Sequence, residues 1–550
     1  MDGNKKNTAT LLVECLEAEG VKYVFGIPGE ETLELMNALE KSTIEFIPTR
    51  HEQGAAFMAD VYGRLTGKAG VCLSTLGPGA TNLVTGVADA NMDGAPLVAI
   101  TGQAGTDRMH LTSHQYVDLV KMFEPITKRS KAVVRPDTVM EIVRIAFKYA
   151  ESEKPGASHI DLPCNIAKME VDGHPMKKVP AQEGQATFQS IEEAATVISR
   201  AQKPVILAGS SAARNNCGEA VTKFAEKLKI PVVNTMMGKG IIPWTNKYSM
   251  WSFGIPQKDY PDLVFKQADL VIAIGYDLVE CTPIKWNPDG DKRIIHIGPE
   301  SAHINKRYEA EIEVIGNIED SLQEIQRRAY RKEVPEWAFA IRNQMVAEFE
   351  SYADDDSFPM KPQKILYDVR KVMDAGSILI SDVGAHKMWI GREYNCERPN
   401  SCIISNGFAT MGISVPGAIA AKLVYPDKKI LAICGDGGFM MNVQELETAV
   451  RCKTNFVVLI LTDSAYGLIK WKQDERFGHH CYVDFTNPDF VALARAMGCE
   501  GMKIEKCKDL IPSLENAFSM DKPVIIDCPV DYSENMKLTE HLKKLTEGKL

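Results

Sequence analysis

Two glycine-flanked carboxylates near the C-terminal end of the chain are the residues best suited to chemistry. Asp436 lies in the run Gly435-Asp436-Gly437-Gly438, and Asp463 follows a second apolar run 27 residues later. Such oxygens suit Mg²⁺ bound with phosphates, because Mg²⁺ takes one or two carboxylates and leaves its other positions to phosphate oxygens and water. Gly437 and Gly438 let the backbone approach a phosphate and donate hydrogen bonds to it. The alternative is an ordinary turn at Gly435 and a helix cap at Asp463.

The elements around these carboxylates form one predicted βαβ unit. Apolar runs predict strands over 430–434 and 456–462, and a helical pattern lies between them at 444–451. Parallel strands joined by such a crossover end at the same edge of the sheet, and ligands bind at that edge. We therefore expect a tight turn over 435–438 and both carboxylates at one sheet edge.

Composition places the chain among proteins with buried cores. The 550 residues are 45% hydrophobic and 25% charged, which is typical of a globular protein of roughly three domains. The net charge of −10 argues against a general nucleic-acid binder. No apolar run is long enough to span a membrane and the first residues lack a signal-peptide core, so we expect a cytoplasmic protein. Thirteen cysteines without a C-x-x-C pair indicate reduced thiols.

Alternating strand and helix patterns predict an α/β fold of three domains, each a mostly parallel sheet flanked by helices. The polar stretch 168–190, which includes Pro180, is expected to be a linker. The middle block is expected to close near Gly316, with the charged helical segment 321–355 as a connector. The domains are expected at 1–167, 190–335 and 364–532.

The carboxylate pair resembles the diphosphate-binding motif of thiamine diphosphate (ThDP) enzymes, in which Gly-Asp-Gly is followed at a similar distance by a second metal ligand. An Asp at that second position also looks like the catabolic, FAD-independent acetolactate synthases of the acetohydroxyacid synthase large-subunit family. The resemblance implies ThDP and Mg²⁺ as cofactors. It assigns Asp436, Asp463 and the carbonyl of Ala465 as metal ligands.

The resemblance also makes a demand on the N-terminal domain. The cofactor acts as an ylid, and its activation needs a buried acid with a raised pKa that protonates the aminopyrimidine ring. The segment IEFIPTRHEQGAAFMADVYGRLTG resembles the glutamate-bearing motif of the family and places Glu52 at the catalytic position. Taken alone, Glu52 has an alternative role as a charge that complements a helix N-terminus.

Further segments resemble the cofactor-binding parts of the family along nearly the whole chain. VFGIPGEE and TLGPGATNLVTGVADAN look like the pyrimidine-binding domain, and SDVGAHKMW resembles a diphosphate-contacting segment. Met411 falls where the family has an apolar pillar under the cofactor, with simple core packing as the alternative. The residues assigned to cofactor binding are Pro28, Gly384, His386, Met411, Gly435, Gly437, Gly438 and Tyr466.

One N-terminal segment bears on the substrate. LTSHQYVDLVKMFEPITKRS resembles the part of acetolactate synthases that places Gln115, Phe123 and Lys128 near the substrate. A polar donor and an aromatic wall suit a small 2-oxo acid. Core packing for Phe123 and a solvated position for Lys128 are the alternatives. The expected catalytic residues are Glu52, Gln115 and Lys128.

Two other segments bear on FAD and on the acceptor. FAD-containing relatives have an Arg just after a middle-domain strand, where this chain has Asp277, whose charge would repel a dinucleotide diphosphate. We therefore expect no FAD. Lys472 stands where the catabolic enzymes have Gln, and Trp471 lies one residue before a Trp of the FAD-containing relatives. Acceptor choice therefore stays open, with a buried Trp471 and a solvated Lys472 as the alternative.

The activity implied by the resemblance is a transferase activity (EC 2.2.1.6). One pyruvate is decarboxylated, and the resulting hydroxyethyl carbanion on ThDP adds to a second pyruvate to give 2-acetolactate. A homodimer or homotetramer with active sites between subunits is implied, and neither nucleic acid nor membrane is an expected partner. Another ThDP-dependent 2-oxo acid decarboxylase or carboligase is the nearest alternative. A non-catalytic flavin-binding protein is an alternative from another class, against which Glu52, Asp436 and Asp463 argue.

Overall fold

The computed structural model describes residues 6–179, 184–255 and 258–546. Pro180 of the expected linker lies outside these described residues. All thirteen cysteines are free, and within the described ranges no helix is long and apolar enough to cross a membrane. The chain divides into two compact units, which are Met1–Ala181 with Gly407–Asp427 and Met441–Asn455, and Gln182–Asn406 with Lys428–Met440 and Phe456–Leu550.

The first unit contains a six-stranded parallel sheet. The described strands of this unit are β1 (Lys6–Asn7), β2 (Tyr23–Gly26), β3 (Glu45–Pro48), β4 (Gly70–Ser74), β5 (Leu97–Gln103), β6 (Arg129–Ala132), β7 (Ala157–Pro163) and β8 (Glu170–Val171). Strands β2 to β7 form the sheet in the order β3-β2-β4-β5-β7-β6. Strands β5 and β7 are buried along their whole length, as expected where helices cover both faces. β1 and β8 pair antiparallel, so the expected linker begins with a paired strand.

The helices of the first unit pack closely because small residues line their contacts. Helix Glu52–Thr66 packs against Pro78–Asp93 and Ser414–Val424. A Cβ atom at Gly86 would lie 2.5 Å from the Cβ atom of Ala56, so glycine permits this approach. The α-helices of this unit are Thr8–Glu19, Leu33–Leu39, Glu52–Thr66, Pro78–Asp93, Leu119–Phe123, Val139–Glu151, Cys164–Lys168, Ser414–Val424 and Glu445–Arg451, and the 3₁₀ helices are Glu30–Thr32, Glu124–Ile126 and Pro136–Thr138.

The middle part of the chain forms a second parallel sheet. Its strands are β9 (Pro204–Ala208), β10 (Val232–Thr235), β11 (Ser249–Phe253), β12 (Leu270–Ile274), β13 (Arg293–Gly298) and β14 (Ile312–Ile315). The strand order is β11-β10-β9-β12-β13-β14. All the strands are parallel, but the chain adds β10 and β11 on one side of β9 and adds β12, β13 and β14 on the other. The boundary between β9 and β12 is therefore the switch point where doubly wound sheets bind ligands.

The segment after Gly316 belongs to this middle sheet. Helix Ile318–Arg328 buries Ile318, Leu322 and Ile325 in the same apolar cluster as the strands. The expectation that the middle block closes near Gly316 and that a connector follows is therefore wrong. The charged residues of helix Ile318–Arg328 occupy the outer face of an amphipathic helix. Their number therefore does not show whether the other face of the helix is buried.

The C-terminal part of the second unit carries a third parallel sheet. Its strands are β15 (Ile378–Ser381), β16 (Cys402–Ile404), β17 (Ile430–Gly435), β18 (Val457–Thr462), β19 (Glu500–Lys503) and β20 (Val524–Pro529). The order β16-β15-β17-β18-β20-β19 repeats the order of the N-terminal sheet when each set is counted along the chain. The predicted α/β fold with three mostly parallel sheets is confirmed.

The second unit has helices on both of its sheets and a helix near its C-terminal end. Its α-helices are Phe188–Arg200, Ser210–Arg214, Gly218–Leu228, Tyr260–Gln267, Ile318–Arg328, Glu336–Ser351, Pro362–Val372, Ala385–Glu393, Asp436–Met441, Gly467–Phe477, Phe490–Ala496, Leu510–Ser519 and Glu534–Thr546, and its 3₁₀ helices are Pro283–Lys285 and Cys507–Asp509.

Candidate active site

The glycine-rich run after β17 begins a helix. Helix Asp436–Met441 follows the strand directly, and the Asp436 side chain is fully buried. Its Oδ1 accepts a hydrogen bond from the N–H of Gly437 at 2.9 Å, and its Oδ2 accepts one from Ser464 N–H at 2.7 Å. The expected tight turn over 435–438 is therefore wrong, because the carboxylate satisfies N–H groups and complements the dipole at a helix start.

Asp463 follows β18 at the same edge of the sheet. Strands β17 and β18 are parallel neighbours, and the Asp463 N–H donates to Oδ2 of Asp436 at 3.2 Å. Burial, and then the charge of Asp436, raises the pKa of Asp463 to about 7. Burial also raises the pKa of Asp436, against the hydrogen bonds that it accepts. A cation beside this buried and half-buried pair of carboxylates reverses the effect, so the arrangement fits a metal ion.

Asn487 holds the loop after β18. Its Nδ2 donates to Oδ2 of Asp436 at 2.8 Å and to Oγ of Ser464 at 3.2 Å. Ser464 has a φ of 55°, a left-handed conformation that a non-glycine residue adopts only where its surroundings fix it. Ala465 is buried, and its carbonyl accepts a hydrogen bond from Gly467 N–H at 2.9 Å. Sequence reasoning missed Asn487, whose only signal is an Asn-Pro pair in a polar loop.

The two glycines after Asp436 are required by close neighbours. A Cβ atom at Gly437 would lie 2.9 Å from the ring of Tyr466, and one at Gly438 would lie 2.7 Å from Oδ1 of Asp382. Both approaches exclude a larger residue. The Tyr466 side chain is 42% exposed, and its ring packs edge-on against Phe485 with centroids 5.0 Å apart. An exposed aromatic ring therefore lies next to the backbone that follows Asp436.

His386 lies beside the carboxyl end of β17. A Cβ atom at Gly435 would lie 3.4 Å from its Nδ1, and one at Gly384 would lie 2.8 Å from its ring. Burial lowers the pKa of His386 to about 4, against the charge of Asp382, so the ring is neutral near pH 7. Its buried Nε2 has no hydrogen-bond partner among the described residues. Such an unpartnered buried ring nitrogen near the carboxyl end of β17 fits a ligand that hydrogen-bonds there.

Glu52 is the first residue of helix Glu52–Thr66 in the first unit. It is 8% exposed, and its Oε2 accepts a hydrogen bond from Nδ2 of Asn82 at 2.9 Å. A Cβ atom at Gly79 would lie 3.3 Å from Oε1 of Glu52, so a small residue makes room for the carboxylate. The side chain is thus held in a largely buried position with one oriented donor, which suits an acid that must protonate a ring nitrogen.

Glu445 fixes the backbone that precedes Glu52. Its fully buried carboxylate accepts hydrogen bonds from the N–H groups of Arg50 and His51, both at 3.0 Å. Burial raises the pKa of Glu445, and these hydrogen bonds oppose the rise. A residue far along the chain therefore sets where the helix carrying Glu52 begins. Sequence reasoning missed Glu445, since a glutamate at a helix start is ordinary.

Met411 and Pro28 also lie in the first unit. Met411 is half-buried between Ala409 (φ 57°) and Gly412 (φ 93°), which both have left-handed backbone conformations. Asn442 holds this turn, because its Nδ2 donates to the Gly412 carbonyl oxygen at 2.9 Å. Pro28 is exposed just after β2, at the carboxyl end of the N-terminal sheet.

The residues expected near the substrate lie in three different environments. Gln115 is exposed with a φ of 56°, and a Cβ atom at Gly77 would lie 2.7 Å from its carbonyl oxygen. The Lys128 ammonium donates to two backbone carbonyl oxygens, at 2.9 and 2.5 Å. Phe123 is fully buried and stacks on His159 with centroids 4.1 Å apart. Phe123 is therefore a core residue, and Lys128 is held by the backbone.

Three family models match the chain in the order of its three sheets. The thiamine pyrophosphate enzyme N-terminal TPP binding domain matches residues 6–122. The central domain of the same enzymes matches 191–325, and their C-terminal TPP binding domain matches 382–528. The last match contains the carboxylate pair, His386 and Tyr466.

Curated relatives match over nearly the whole chain. The acetolactate synthase of Bacillus subtilis (strain 168) is 36% identical over 97% of this chain and 95% of its own length. The catabolic acetolactate synthase of Raoultella terrigena is 34% identical over 97% of both chains. A probable acetolactate synthase large subunit of Methanococcus aeolicus is 33% identical over 98% of this chain and 94% of its own length. The chain belongs to the acetolactate synthase family of ThDP enzymes.

Two residues at which this member departs from the family pattern are engaged in packing and ion pairing. Trp471 is buried and donates from Nε1 to Oγ1 of Thr539 at 3.0 Å. The Lys472 side chain is 40% exposed and forms an ion pair with Glu475 at 2.9 Å. The structure thus has the buried Trp471 and solvated Lys472 that the sequence left as the alternative.

Proposed function

We propose that the protein condenses two pyruvate molecules to 2-acetolactate and CO₂. The observation that carries this proposal is the full-length similarity to curated acetolactate synthases, one of which is named catabolic. Matches to all three ThDP-enzyme domains support it. Fold alone would not suffice, because a fold hosts many chemistries and the site residues must also fit.

The diphosphate of ThDP and Mg²⁺ are proposed to bind at the ends of β17 and β18. Asp436, Asp463 and the carbonyl of Ala465 would supply the protein oxygens to the metal. Oδ1 of Asp436 accepts one hydrogen bond from the described residues, that of Gly437, so it retains a lone pair for a cation. The further cofactor-binding residues in the proposal are Pro28, Gly384, His386, Met411, Gly435, Gly437, Gly438 and Tyr466.

Glu52 is proposed as the acid that activates the cofactor. Bound ThDP supplies an ylid that stabilises a carbanion. Glu52 would hold a proton at its carboxyl group and give it to the aminopyrimidine, while Asn82 orients the carboxyl group through Oε2. Glu445 would keep the helix start in place by holding the N–H groups of Arg50 and His51.

Gln115 is proposed to orient the second pyruvate. Its exposure and left-handed backbone support a ligand-facing role, since such conformations persist where function or packing fixes them. Lys128, expected from the resemblance as a catalytic residue, is better supported in a positioning role. Its ammonium is bonded to the carbonyl oxygens of Ser152 and Lys154, so its proposed role is to hold this part of the backbone.

The protein is proposed to work without FAD. Glu280 lies at the switch point of the middle sheet. Its carboxylate accepts hydrogen bonds from the N–H groups of Ser210 (2.9 and 3.0 Å) and Asp277 (3.0 Å). A Cβ atom at Gly209 would lie 2.7 Å from Oε1 of Glu280. This buried carboxylate stands where doubly wound sheets bind dinucleotide phosphates. Asp277 adds negative charge there.

The proposed functional unit contains at least two copies of the chain in the cytoplasm. By the family resemblance, each active site would take Glu52 from one copy and Asp436 from another, in a homodimer or homotetramer. The substrates would be small 2-oxo acids, with neither nucleic acid nor membrane as a partner. The proposed domains are 1–167, 190–335 and 364–532.

Product analysis tests this function. The purified protein is supplied with ThDP, Mg²⁺ and pyruvate, with and without FAD, and acetolactate is quantified against acetaldehyde. We expect mostly acetolactate, in the same yield with and without FAD. Mostly acetaldehyde would assign the protein to the ThDP-dependent decarboxylases, and bound ThDP without pyruvate consumption would mean that another 2-oxo acid is the substrate. A requirement for FAD would contradict the role of Glu280.

A further inference from the structure

One face of the N-terminal sheet carries polar side chains where a core would normally be apolar. Thr101 and Gln103 in β5, and His159 and Asp161 in β7, are at most 1% exposed. Thr101 lies directly opposite Asp161 in the parallel register. Ser130 in β6 lies opposite His159. Buried polar groups are costly unless they are hydrogen-bonded, so this set needs an internal network.

These side chains form a directed series of hydrogen bonds. Thr101 Oγ1 donates to Oδ1 of Asp161 at 2.7 Å, so its contact with Nε2 of His159 at 2.9 Å is one in which the ring donates. Nδ1 of His159 then accepts the hydroxyl proton of Ser130 at 2.8 Å. Burial lowers the pKa of His159 to about 3, which keeps the ring neutral. The other oxygen of Asp161 accepts Nε2 of Gln103 at 3.2 Å.

Gln103 connects this network to both ends of the segment 104–118. Its Oε1 accepts the N–H of Ala104 at 2.8 Å, and its Nε2 donates to the Val117 carbonyl oxygen at 3.1 Å. The segment between these anchors is largely exposed from position 106 onwards. Beyond it, Phe123 stacks on His159, so the network contacts the chain on both sides of the exposed part. A single amide group therefore bonds both ends of the segment, which Asn165 also holds at Thr106.

The exposed segment carries Gln115 to the neighbourhood of Glu52. The Gln115 carbonyl lies against Gly77, at the start of helix Pro78–Asp93. Gly79, two residues further on, lies against Oε1 of Glu52. The position of Gln115 relative to the proposed acid thus depends on how the segment 104–118 is closed, and Gln103 bonds both ends of that segment.

We infer that Gln103, oriented by Asp161, positions the Gln115 segment for the second substrate and so determines whether the carbanion is transferred to an acceptor or protonated. This role rests on the proposed function of Gln115. The NH₂ group of Gln103 donates to both Asp161 and Val117, so the contact with Asp161 keeps that end of the amide towards Val117. Both residues are positioning residues, since neither is placed in contact with substrate.

The test compares Gln103→Met with Ser130→Ala in the full-length protein with ThDP and Mg²⁺. Methionine has a similar length but cannot bond Ala104, Val117 or Asp161. Ser130→Ala removes one buried hydrogen bond of the same network, remote from the segment. We expect Gln103→Met to release CO₂ from pyruvate within about twofold of the parent rate, with the acetaldehyde-to-acetolactate ratio raised at least about tenfold. Ser130→Ala should leave that ratio unchanged within about twofold.

Equal product ratios in Gln103→Met and Ser130→Ala would overturn the inference, as would an equal fall in CO₂ release and acetolactate in Gln103→Met. If Gln103→Met does not fold, Gln103→Glu replaces it, because this variant keeps an oxygen for Ala104 and loses the NH₂ group that donates to Val117 and Asp161. The expected product shift is the same.

A failure of the proposed function remains distinguishable. If the parent protein forms no acetolactate, the function is wrong, and the loop closure is judged by amide hydrogen exchange of residues 104–118. Exchange in that segment should then be faster in Gln103→Met than in Ser130→Ala. Equal exchange in the two variants would overturn the positioning role independently of any activity.

Discussion

The N-terminal and C-terminal sheets have the same strand order but different residues at their strand ends. In both sheets a Thr of the fourth strand donates to an Asp of the sixth. Thr101 donates to Asp161 at 2.7 Å in one, and Thr462 donates to Asp527 at 2.6 Å in the other. Shared strand order therefore produces a shared hydrogen bond in two regions that differ in sequence.

The two sheets differ in the residues at the carboxyl ends of their central strands. Strands β17 and β18 each lead into a buried or half-buried carboxylate, Asp436 and Asp463. Strand β5 ends instead in Gln103, which anchors an exposed segment, and the acid Glu52 comes from a helix start. Topology thus sets which strand ends meet, whereas residue types set what stands there: two carboxylates at one sheet, and an amide that anchors an exposed segment at the other.

Among the substitutions that test this difference between the two sheets, Glu52→Gln has the largest expected effect. The variant keeps an oxygen for Asn82 but has no proton to give to the aminopyrimidine. We expect kcat to fall by roughly 10²–10⁴-fold, the usual range for a lost general acid, while ThDP still binds. Steady-state kinetics and a ThDP titration measure the two effects. Near-normal turnover would refute the catalytic role of Glu52.

Much of the fold and part of the site could be predicted from the sequence. Long apolar runs predicted strands β17 and β18 to within about one residue, because buried parallel strands are nearly continuous in apolar residues. Short strands such as β6, which reads Arg-Ser-Lys-Ala, carry no such signal. The prediction of a tight turn over 435–438 was wrong, because the turn propensity of Gly and Asp does not reveal that the strand continues directly into a helix.

The candidate site residues also differ in how far the sequence alone indicates them. Asp436 and Glu52 are predicted as site residues because they lie in local motifs. Asn487, Glu445 and Gln103 act through contacts between residues far apart in the chain, such as Glu445 with the backbone of Arg50 and His51, and no local pattern marks them. Long-range hydrogen bonds of this kind depend on tertiary packing, which a single sequence does not display.

Asp161→Asn tests how the buried carboxyl group of the N-terminal sheet makes stability depend on pH. Burial, opposed by hydrogen bonds from Thr101 and Gln103, raises the pKa of Asp161 from 3.8 to about 7. The folded protein therefore keeps this proton at pH values where the unfolded chain has lost it, so stability contributed by Asp161 falls as pH rises from about 4 to about 7. Asparagine has no such proton, and the fall should be reduced by about 2–4 kcal/mol.

The measurement is the free energy of unfolding by denaturant at several pH values between 4 and 8, for the parent protein and for Asp161→Asn. Asn can donate to Thr101 and accept from Gln103, so the variant is expected to fold. An unchanged slope with pH in the variant would mean that Asp161 does not hold its proton in the folded protein.

Lys128→Met has the smallest expected effect. The ammonium binds two carbonyl oxygens in a partly exposed site, so its loss should cost about 1 kcal/mol of stability. We expect kcat/KM for pyruvate to fall by less than about tenfold if Lys128 acts only through the backbone. A fall of 100-fold or more, with unchanged stability, would show instead that the ammonium contacts the substrate.

Mg²⁺-dependent ThDP binding to Asp436→Ala tests the central claim most directly. Asp527→Asn is the matched control, because Asp527 lies in the same sheet and bonds Thr462 rather than the proposed metal site. We predict that ThDP binds at least about 100-fold more weakly to Asp436→Ala than to the parent protein, and with nearly parental affinity to Asp527→Asn. Parental affinity in Asp436→Ala would contradict the assignment of metal and diphosphate to the ends of β17 and β18.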